Sequence, residues 1–348
     1  MISTAKHRGA AGLLPRDRKC SVPTHIVERP HYHILAQDHE NAKTSNVIDH
    51  IVARASKSSA SWVLLGAVTK FPDTNVNYEH ELAQIDFIVR RETEDWKSIT
   101  ITKKRDGTIM RSHLTPNGLL FLTLSDETCS FEEFFPGFED ATAHADFTDL
   151  PLRRPLTYTS QNNWKATVDA YQECLHCAYA HPEFAKTFKP AGYKVINKHN
   201  YSQHMATATD ADDGLFFFLF PNCSLSLYAG GLTCWRINPS EIPYQARMEF
   251  DYYHKAPAGS DEFEKWYEFT RNVAVEDIEL CEKTQANLNA GIYSEGLLNP
   301  LKENGVIYFH SHILELCSAQ MEKDETMQST VKPSGERQLP FYKDLMGY

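Results

Sequence analysis

The chain has 348 residues, of which 42% are hydrophobic and 11% aromatic, and its formal net charge is −11. That length holds one large domain and a smaller one with a substantial core. The negative charge argues against nucleic acid or an anionic membrane as partner, and no apolar run approaches the roughly 18 residues of a membrane span.

In chain order, residues 1–58 read as a polar leader without the apolar core of a secretory signal. His31, Tyr32 and His33 cluster there, and the reading favoured for them is a solvated segment. Residues 59–155 alternate short apolar runs, at 62–68, 85–89, 99–102 and 119–124, with turns such as Asp106-Gly107. This predicts a small antiparallel β unit. Residues 156–320 combine strands, predicted at 215–220, 224–228, 247–253 and 306–314, with two helices that carry the chemistry. Residues 321–348 are polar and read as a C-terminal tail. The eight cysteines form no compact framework, which points to reduced thiols in a cytoplasmic protein.

The first of the two helices lies in the run from Asn163 to Pro182, N-W-K-A-T-V-D-A-Y-Q-E-C-L-H-C-A-Y-A-H-P. His176 and His181 are five apart, which on one ideal helix would set them about 140° apart. Pro182 disfavours helical backbone at His181. The helix carrying Glu173 and His176 is therefore predicted to end or unwind before His181, so that both imidazoles converge. Cys174 and Cys177 form a C-x-x-C pair, a pattern shared by redox dithiols and by half of a zinc site. No second C-x-x-C completes a zinc set, and the two are read as packing residues beside the site.

The second helix is predicted over residues 261–289. Trp266, Phe269, Val273, Leu280 and Leu288 form an apolar stripe, with Asp277 and Thr284 in its gaps. A carboxylate on a buried stripe needs a partner, because an unpaired buried charge is costly. Two histidines and one carboxylate make the facial triad that suits non-haem Fe(II) and leaves positions open.

The run N-W-K…Y-x-E-C-x-H-C-x-x-x-H-P resembles the catalytic motif of Rieske-type non-haem iron oxygenase α subunits, in the branch with carnitine and choline monooxygenases. The segment Glu276-Asp277-Ile278-Glu279-Leu280-Cys281-Glu282…Gln285 resembles that family's aspartate-ligand segment. Phe220-Pro221-Asn222 with Tyr228, residues 118–124, residues 61–66 and Phe71-Pro72-Asp73-Thr74 are similar too, so the likeness covers most of residues 60–315. It implies an α+β chain: a helix-grip catalytic domain, with a curved antiparallel sheet around a long helix, and a small N-terminal β domain. It also implies His176, His181 and Asp277 as Fe(2+) ligands, with Glu173 bridging electron entry to the iron. Asp169 and Ala170 stand where the branch has Glu-Asn.

A Rieske [2Fe–2S] centre takes two Cys and two His, supplied in that family as C-x-H and C-x-x-H. Here the single C-x-H is Cys174-x-His176, inside the catalytic motif, and no C-x-x-H occurs. The 59–155 unit is therefore read as truncated, with no [2Fe–2S] cluster expected on this chain. The function expected is an oxygenase-type oxidoreductase on a small organic molecule. Its electrons would come from the substrate or from a cluster-bearing partner in a mixed oligomer; the other assembly expected is a homotrimer. Two alternatives stand: redox-neutral Lewis-acid catalysis at the same triad, and a non-catalytic helix-grip module binding ligand among Phe216, Phe217, Phe218, Tyr228, Trp235, Tyr252 and Tyr253.

Overall fold

A computed structural model describes residues 61–330, apart from 84, 127, 207–213, 241, 243 and 293–295, and apart from the side chains of 317 and 319–330. The polar leader, with His31, Tyr32 and His33, and residues 331–348 lie outside the described residues.

The N-terminal part is β structure. The strands β1 (Trp62–Ala67), β5 (Ser112–Leu114) and β6 (Leu119–Thr123) form one antiparallel sheet in the order β1-β6-β5. β2 (Asn77–Leu82), β3 (Ile85–Arg91) and β4 (Ile99–Lys103) form a second. Every residue of β1 and β6 is buried, whereas β2 alternates exposed and half-buried positions with the two-residue period of a strand that has one wet face. The predicted turn at Asp106-Gly107 follows β4, with Gly107 at φ +71°, a conformation glycine adopts without steric penalty. Two short helices follow, α1 (Phe131–Phe134), opened by a capping box of Ser130 and Glu133, and α2 (Phe138–Thr142).

The larger sheet has seven antiparallel strands in the order β7-β13-β12-β11-β10-β9-β8. They are β7 (Leu152–Ser160), β8 (Lys194–Asn197), β9 (Tyr201–Met205), β10 (Leu215–Leu219), β11 (Cys223–Tyr228), β12 (Gly231–Pro239) and β13 (Ala246–His254). Alternation divides its residues between two cores. Phe217, Leu232, Cys234 and Tyr253 pack with Trp62, Leu64, Phe121 and the phenylalanines of α1 and α2. Phe218, Trp235, Ile237, Phe250 and Tyr252 pack on the opposite side with Trp164, Phe263, Trp266, Ile278 and Phe309. This is the α+β arrangement of a sheet packed on long helices that the family likeness implies.

Helices cover that second face. α3 (Trp164–Tyr171) and two short helices, α4 (Cys177–Ala180) and α5 (Pro182–Thr187), precede β8; α6 (Asp261–Asn289) and α7 (Asn304–Thr330) follow β13. α6 starts at Ser260, whose side chain accepts from Phe263 N, and Asp261, Glu262 and Glu264 place negative charge on the positive end of the helix dipole.

The structure corrects three sequence readings. Residues 306–314, predicted as a strand, open α7: Val306, Phe309 and Ile313 are buried at helical spacing, and the β-branched and aromatic content of the run had favoured a strand. A boundary at 155/156 falls inside β7, which pairs with β13 along both halves. The backbone of α7 continues past residue 320, into the stretch read as a tail.

A buried charge cluster joins the N-terminal strands to the large sheet. Asp251 Oδ2 lies 2.7 Å from Lys70 Nζ and 2.8 Å from Arg236 Nη2, and Arg236 Nε reaches Glu249 at 3.2 Å. Burial works against ionising Asp251, but Arg236 and Lys70 outweigh it and hold its pKa below the usual carboxylate value.

His204 of β9 is buried and neutral. Its Nδ1 is 2.6 Å from the Tyr193 hydroxyl and its Nε2 is 2.9 Å from Gln172 Oε1, and burial lowers its pKa to about 3. Below the ordinary histidine value of about 6.5 the unfolded chain takes up a proton that the folded chain refuses. The contribution of His204 is thus complete above about pH 6.5 and lost as pH falls toward 3. Urea midpoints of the wild type should drop through that window. His204→Gln should flatten the slope while costing about 1–3 kcal/mol at neutral pH through its broken hydrogen bonds. An unchanged acid limb in the variant would refute the assignment.

Candidate metal centre

The two segments that carry the site differ in how they hold their residues. α3 begins at Asn163, whose side chain accepts from Lys165 N, and ends at Tyr171. Gln172 is fully buried, with its amide within 3.3 Å of Ser202 Oγ and of Gly305 O, so the chain is pinned where the helix stops. Glu173 and His176 therefore do not share a helix, contrary to the sequence reading. They lie in the turn between α3 and α4. The break before His181 is where Pro182 puts it: His181 has φ −119° and ψ 75°, and Pro182 opens α5.

The cysteine reading also changes. Cys174 and Cys177 are joined as a disulfide that closes the turn around His176. They are neither helix-packing residues nor reduced thiols. Free and buried cysteines among the described residues are Cys223, Cys234 and Cys281.

Asp277 comes from α6 and is 8% exposed. Of the predicted stripe, Trp266, Phe269 and Val273 border the same cavity as Asp277, and Leu288 is buried. Leu280 and Thr284 are only half-buried, because the second half of α6 turns Ile278, Cys281 and Gln285 inward.

Three donor atoms meet. His176 Nε2 and His181 Nε2 are 3.1 Å apart. Asp277 Oδ1 is 2.9 Å from His181 Nε2 and 3.2 Å from His176 Nε2. Bonds of about 2.1 Å at right angles require ligand atoms about 3.0 Å apart, whereas a tetrahedral set requires about 3.4 Å. The triangle fits a facial set. Cys177 Sγ is also within 4.8 Å of both imidazoles, but its disulfide leaves it no thiolate to offer. Asp277 is the better third donor.

Each imidazole is held from behind by a carboxylate. His176 Nδ1 bonds Glu173 Oε1, and His181 Nδ1 lies 2.9 Å from Glu276 Oε2. An ionised carboxylate only accepts, so both Nδ1 atoms donate and each Nε2 is the ring atom left to face the shared point. Sequence reasoning found Glu173 and missed the role of Glu276; its signal was a second carboxylate beside Asp277 on the same helix.

The charges agree with a cation at the centre. Burial opposes a charged His176, yet Asp277 and Glu173 raise its pKa to about 10. His181 is raised as well, against burial, by Asp277 and Glu276. The pKa of Asp277 is lowered, because His176 and His181 outweigh the effect of burial. Two imidazoles and one carboxylate, each oriented and short of positive charge, suit a divalent first-row metal ion with open coordination positions.

The triad faces a cavity of ≈ 140 Å³. Of the aromatic residues flagged in the sequence, Phe216, Tyr228 and Trp235 line it. Phe217 and Tyr253 point to the other side of the sheet, and Phe218 and Tyr252 are core. Asp169, at one of the positions that depart from the family pattern, pairs with His310 at 2.8 Å.

Residues 147–319 match the family model of the ring hydroxylating alpha subunit catalytic domain. The chain is 27% identical over 184 residues to the chloroplastic choline monooxygenase of Spinacia oleracea, covering 49% of this chain and 42% of that protein. It is 26% identical over 217 residues to the carnitine monooxygenase oxygenase subunit of Acinetobacter baumannii, covering 55% of this chain and 58% of that one. The chain thus spans about half the length of the curated relatives it matches. Among solved structures, the quaternary ammonium Rieske monooxygenase CntA superposes with a TM-score of 0.67 at 17% identity, over 78% of this chain and 92% of that one. Naphthalene 1,2-dioxygenase does so with a TM-score of 0.60 at 11% identity, over 86% and 98%. These two likenesses are likenesses of fold.

The geometry distinguishes the candidate ligands from the carboxylates that support them. His176→Ala, His181→Ala and Asp277→Ala should each abolish stoichiometric metal uptake. Glu276→Gln should retain the ion with about 10–100-fold weaker affinity. Competition against a chromophoric chelator reads both, and full affinity in Glu276→Gln would show that His181 needs no support from α6.

Proposed function

Because residues 147–319 belong to the ring-hydroxylating oxygenase α-subunit family, we propose that this chain is a mononuclear non-haem Fe(II) oxygenase acting on a small organic molecule. Its iron ligands are His176, His181 and Asp277. The observation that carries the reading is the triangle of donor atoms with 2.9–3.2 Å edges, backed by a carboxylate on each imidazole. Iron held there would supply the binding and reductive activation of dioxygen.

The chain's own residues prepare that chemistry. Glu173 and Glu276 hold the Nδ1 protons and fix both tautomers. Phe184, Phe188, Tyr228 and Trp266 wall the cavity. Aromatic walls also suit a quaternary ammonium group, the kind of substrate on which the choline and carnitine monooxygenases among its relatives act. A trimethylammonium compound is the substrate class we assign.

The sequence offers no Cys-x-His and Cys-x-x-His pair for a [2Fe–2S] cluster beyond the catalytic motif. The strands β1 to β6 are accordingly assigned as a reduced counterpart of the family's cluster domain, and β7 through α7 as the catalytic unit. Electrons then arrive from a cluster-bearing partner subunit in a mixed oligomer. The docking face is the outside of the His176 turn, where Leu175 and Tyr179 are 47% and 90% exposed. Glu173 is the bridge from that face to the metal. No helix among the described residues is long and apolar enough to cross a membrane. The same missing cluster pattern supports a second reading, redox-neutral Lewis-acid catalysis at the triad.

Two measurements test this. Protein purified anaerobically should hold one iron per chain and no acid-labile sulfide. Product formation should stop without dioxygen and after zinc replaces iron; undiminished product in either case would move the protein to the redox-neutral class. Glu173→Gln should keep its iron and slow turnover with an external donor, and full turnover would exclude Glu173 from the electron route.

A further inference from the structure

The cavity has a second polar wall, opposite the helices that carry the triad. β11 and β12 form its floor, where Ser224 lies across from Trp235 and Ser226 across from Thr233. Thr233 and Trp235 are two residues apart on one strand, so their side chains stand on the same face of the sheet. Both line the cavity. Trp235 is 4% exposed, yet its indole Nε1 and the Thr233 hydroxyl have no hydrogen-bond partner. Other polar groups nearby are engaged: the Tyr193 hydroxyl with His204, and Ser226 Oγ with the Tyr171 hydroxyl. Leaving a buried donor unsatisfied is unfavourable by about 1–3 kcal/mol. Two such groups side by side on a cavity wall are groups kept for a ligand.

The chemistry of this wall restricts the ligand further. An indole N–H only donates, and a threonine hydroxyl donates or accepts, so the pair suits an oxygen with lone pairs. Among the described residues that line the cavity none is Lys or Arg; the carboxylates and imidazoles are Glu173, Asp277, His176 and His181, all at the triad. A carboxylate at the Trp235 end would lie buried among aromatic rings without a counter-ion, which is strongly unfavourable.

We propose that Trp235 and Thr233 form an oxygen subsite that selects substrates with an uncharged hydroxyl or carbonyl group and rejects their carboxylate-bearing analogues. Trp235 and Thr233 are specificity-determining residues on the sheet wall, and they present the substrate's other end to the triad. This rests on the oxygenase reading for its substrate class, but the subsite itself is defined by binding.

The test uses the full chain loaded anaerobically with Fe(II) and three matched probes: choline, ethyltrimethylammonium, which lacks the oxygen, and glycine betaine, which carries a carboxylate. Calorimetric titration should show choline binding about 10-fold more tightly than ethyltrimethylammonium, the value of one net hydrogen bond. Glycine betaine should bind at least about 100-fold more weakly than choline. Trp235→Phe keeps a ring without the N–H, and Thr233→Val keeps the shape without the hydroxyl. Each should cut the preference for choline to about 2-fold or less and leave ethyltrimethylammonium affinity unchanged. Equal binding of all three probes, or a preference that survives in both variants, overturns the subsite alone. Binding of none overturns the quaternary-ammonium assignment and the subsite with it, and leaves the metal reading to its own test.

Discussion

Two imidazoles and a carboxylate stay within 3.2 Å of one another only if the backbone carrying them is fixed from several directions. The donors come from segments about a hundred residues apart, so no local interaction can set their spacing. α3 stops at Tyr171 because Gln172 is locked between β9 and the start of α7. Pro182 ends α4 at His181, and the disulfide closes the turn between. α6 brings Asp277 and Glu276 to the same point from the other side, its first turns seated by Trp266, which stacks over Gly231 at the start of β12. A Cβ at residue 231 would collide with that indole. The glycine therefore sets how closely the helix approaches the sheet, and with it the reach of Asp277.

The same helices face a cavity whose walls divide the work. The helical side holds acidic and imidazole groups that favour a cation. The sheet side holds uncharged donors and hydroxyls on a strand whose alternate residues are core. A strand suits this role: its two-residue period lets Thr233 and Trp235 serve the cavity while Leu232 and Cys234 pack against the N-terminal strands.

Those N-terminal strands attach to the sheet through apolar packing and one buried charge cluster. Asp251 is shared between Lys70 and Arg236, and Arg236 also donates to Leu65 O at 3.3 Å. Removing one partner would strand an opposite charge in a dry interface, at a cost of about 3–5 kcal/mol. The cluster fixes where the small unit sits. It does so on the face of the sheet away from the triad, so the triad and the cavity are built without it.

Much of this was legible in the sequence, because local rules govern it. The Pro182 break, the turn at Asp106-Gly107, the buried stripe of α6 with Asp277 on it and the spacing of the two histidines follow from backbone sterics and helical period. Residues His176, His181, Asp277 and Glu173 could be chosen before any contact was known, and the α+β class followed from the family likeness. What the sequence left open depends on distance. Glu276 was only the neighbour of Asp277 in the sequence, and its role depends on His181 lying beside it in the fold. Cys174 and Cys177 became a disulfide because α3 ended five residues before His176 and not after it. Residues 306–314 carry the side chains of a strand and became helix when burial rewarded Val306, Phe309 and Ile313 together. Which aromatic rings share the cavity with Trp235 was decided by pairing register, since one residue of slip along β12 sends every side chain to the opposite face.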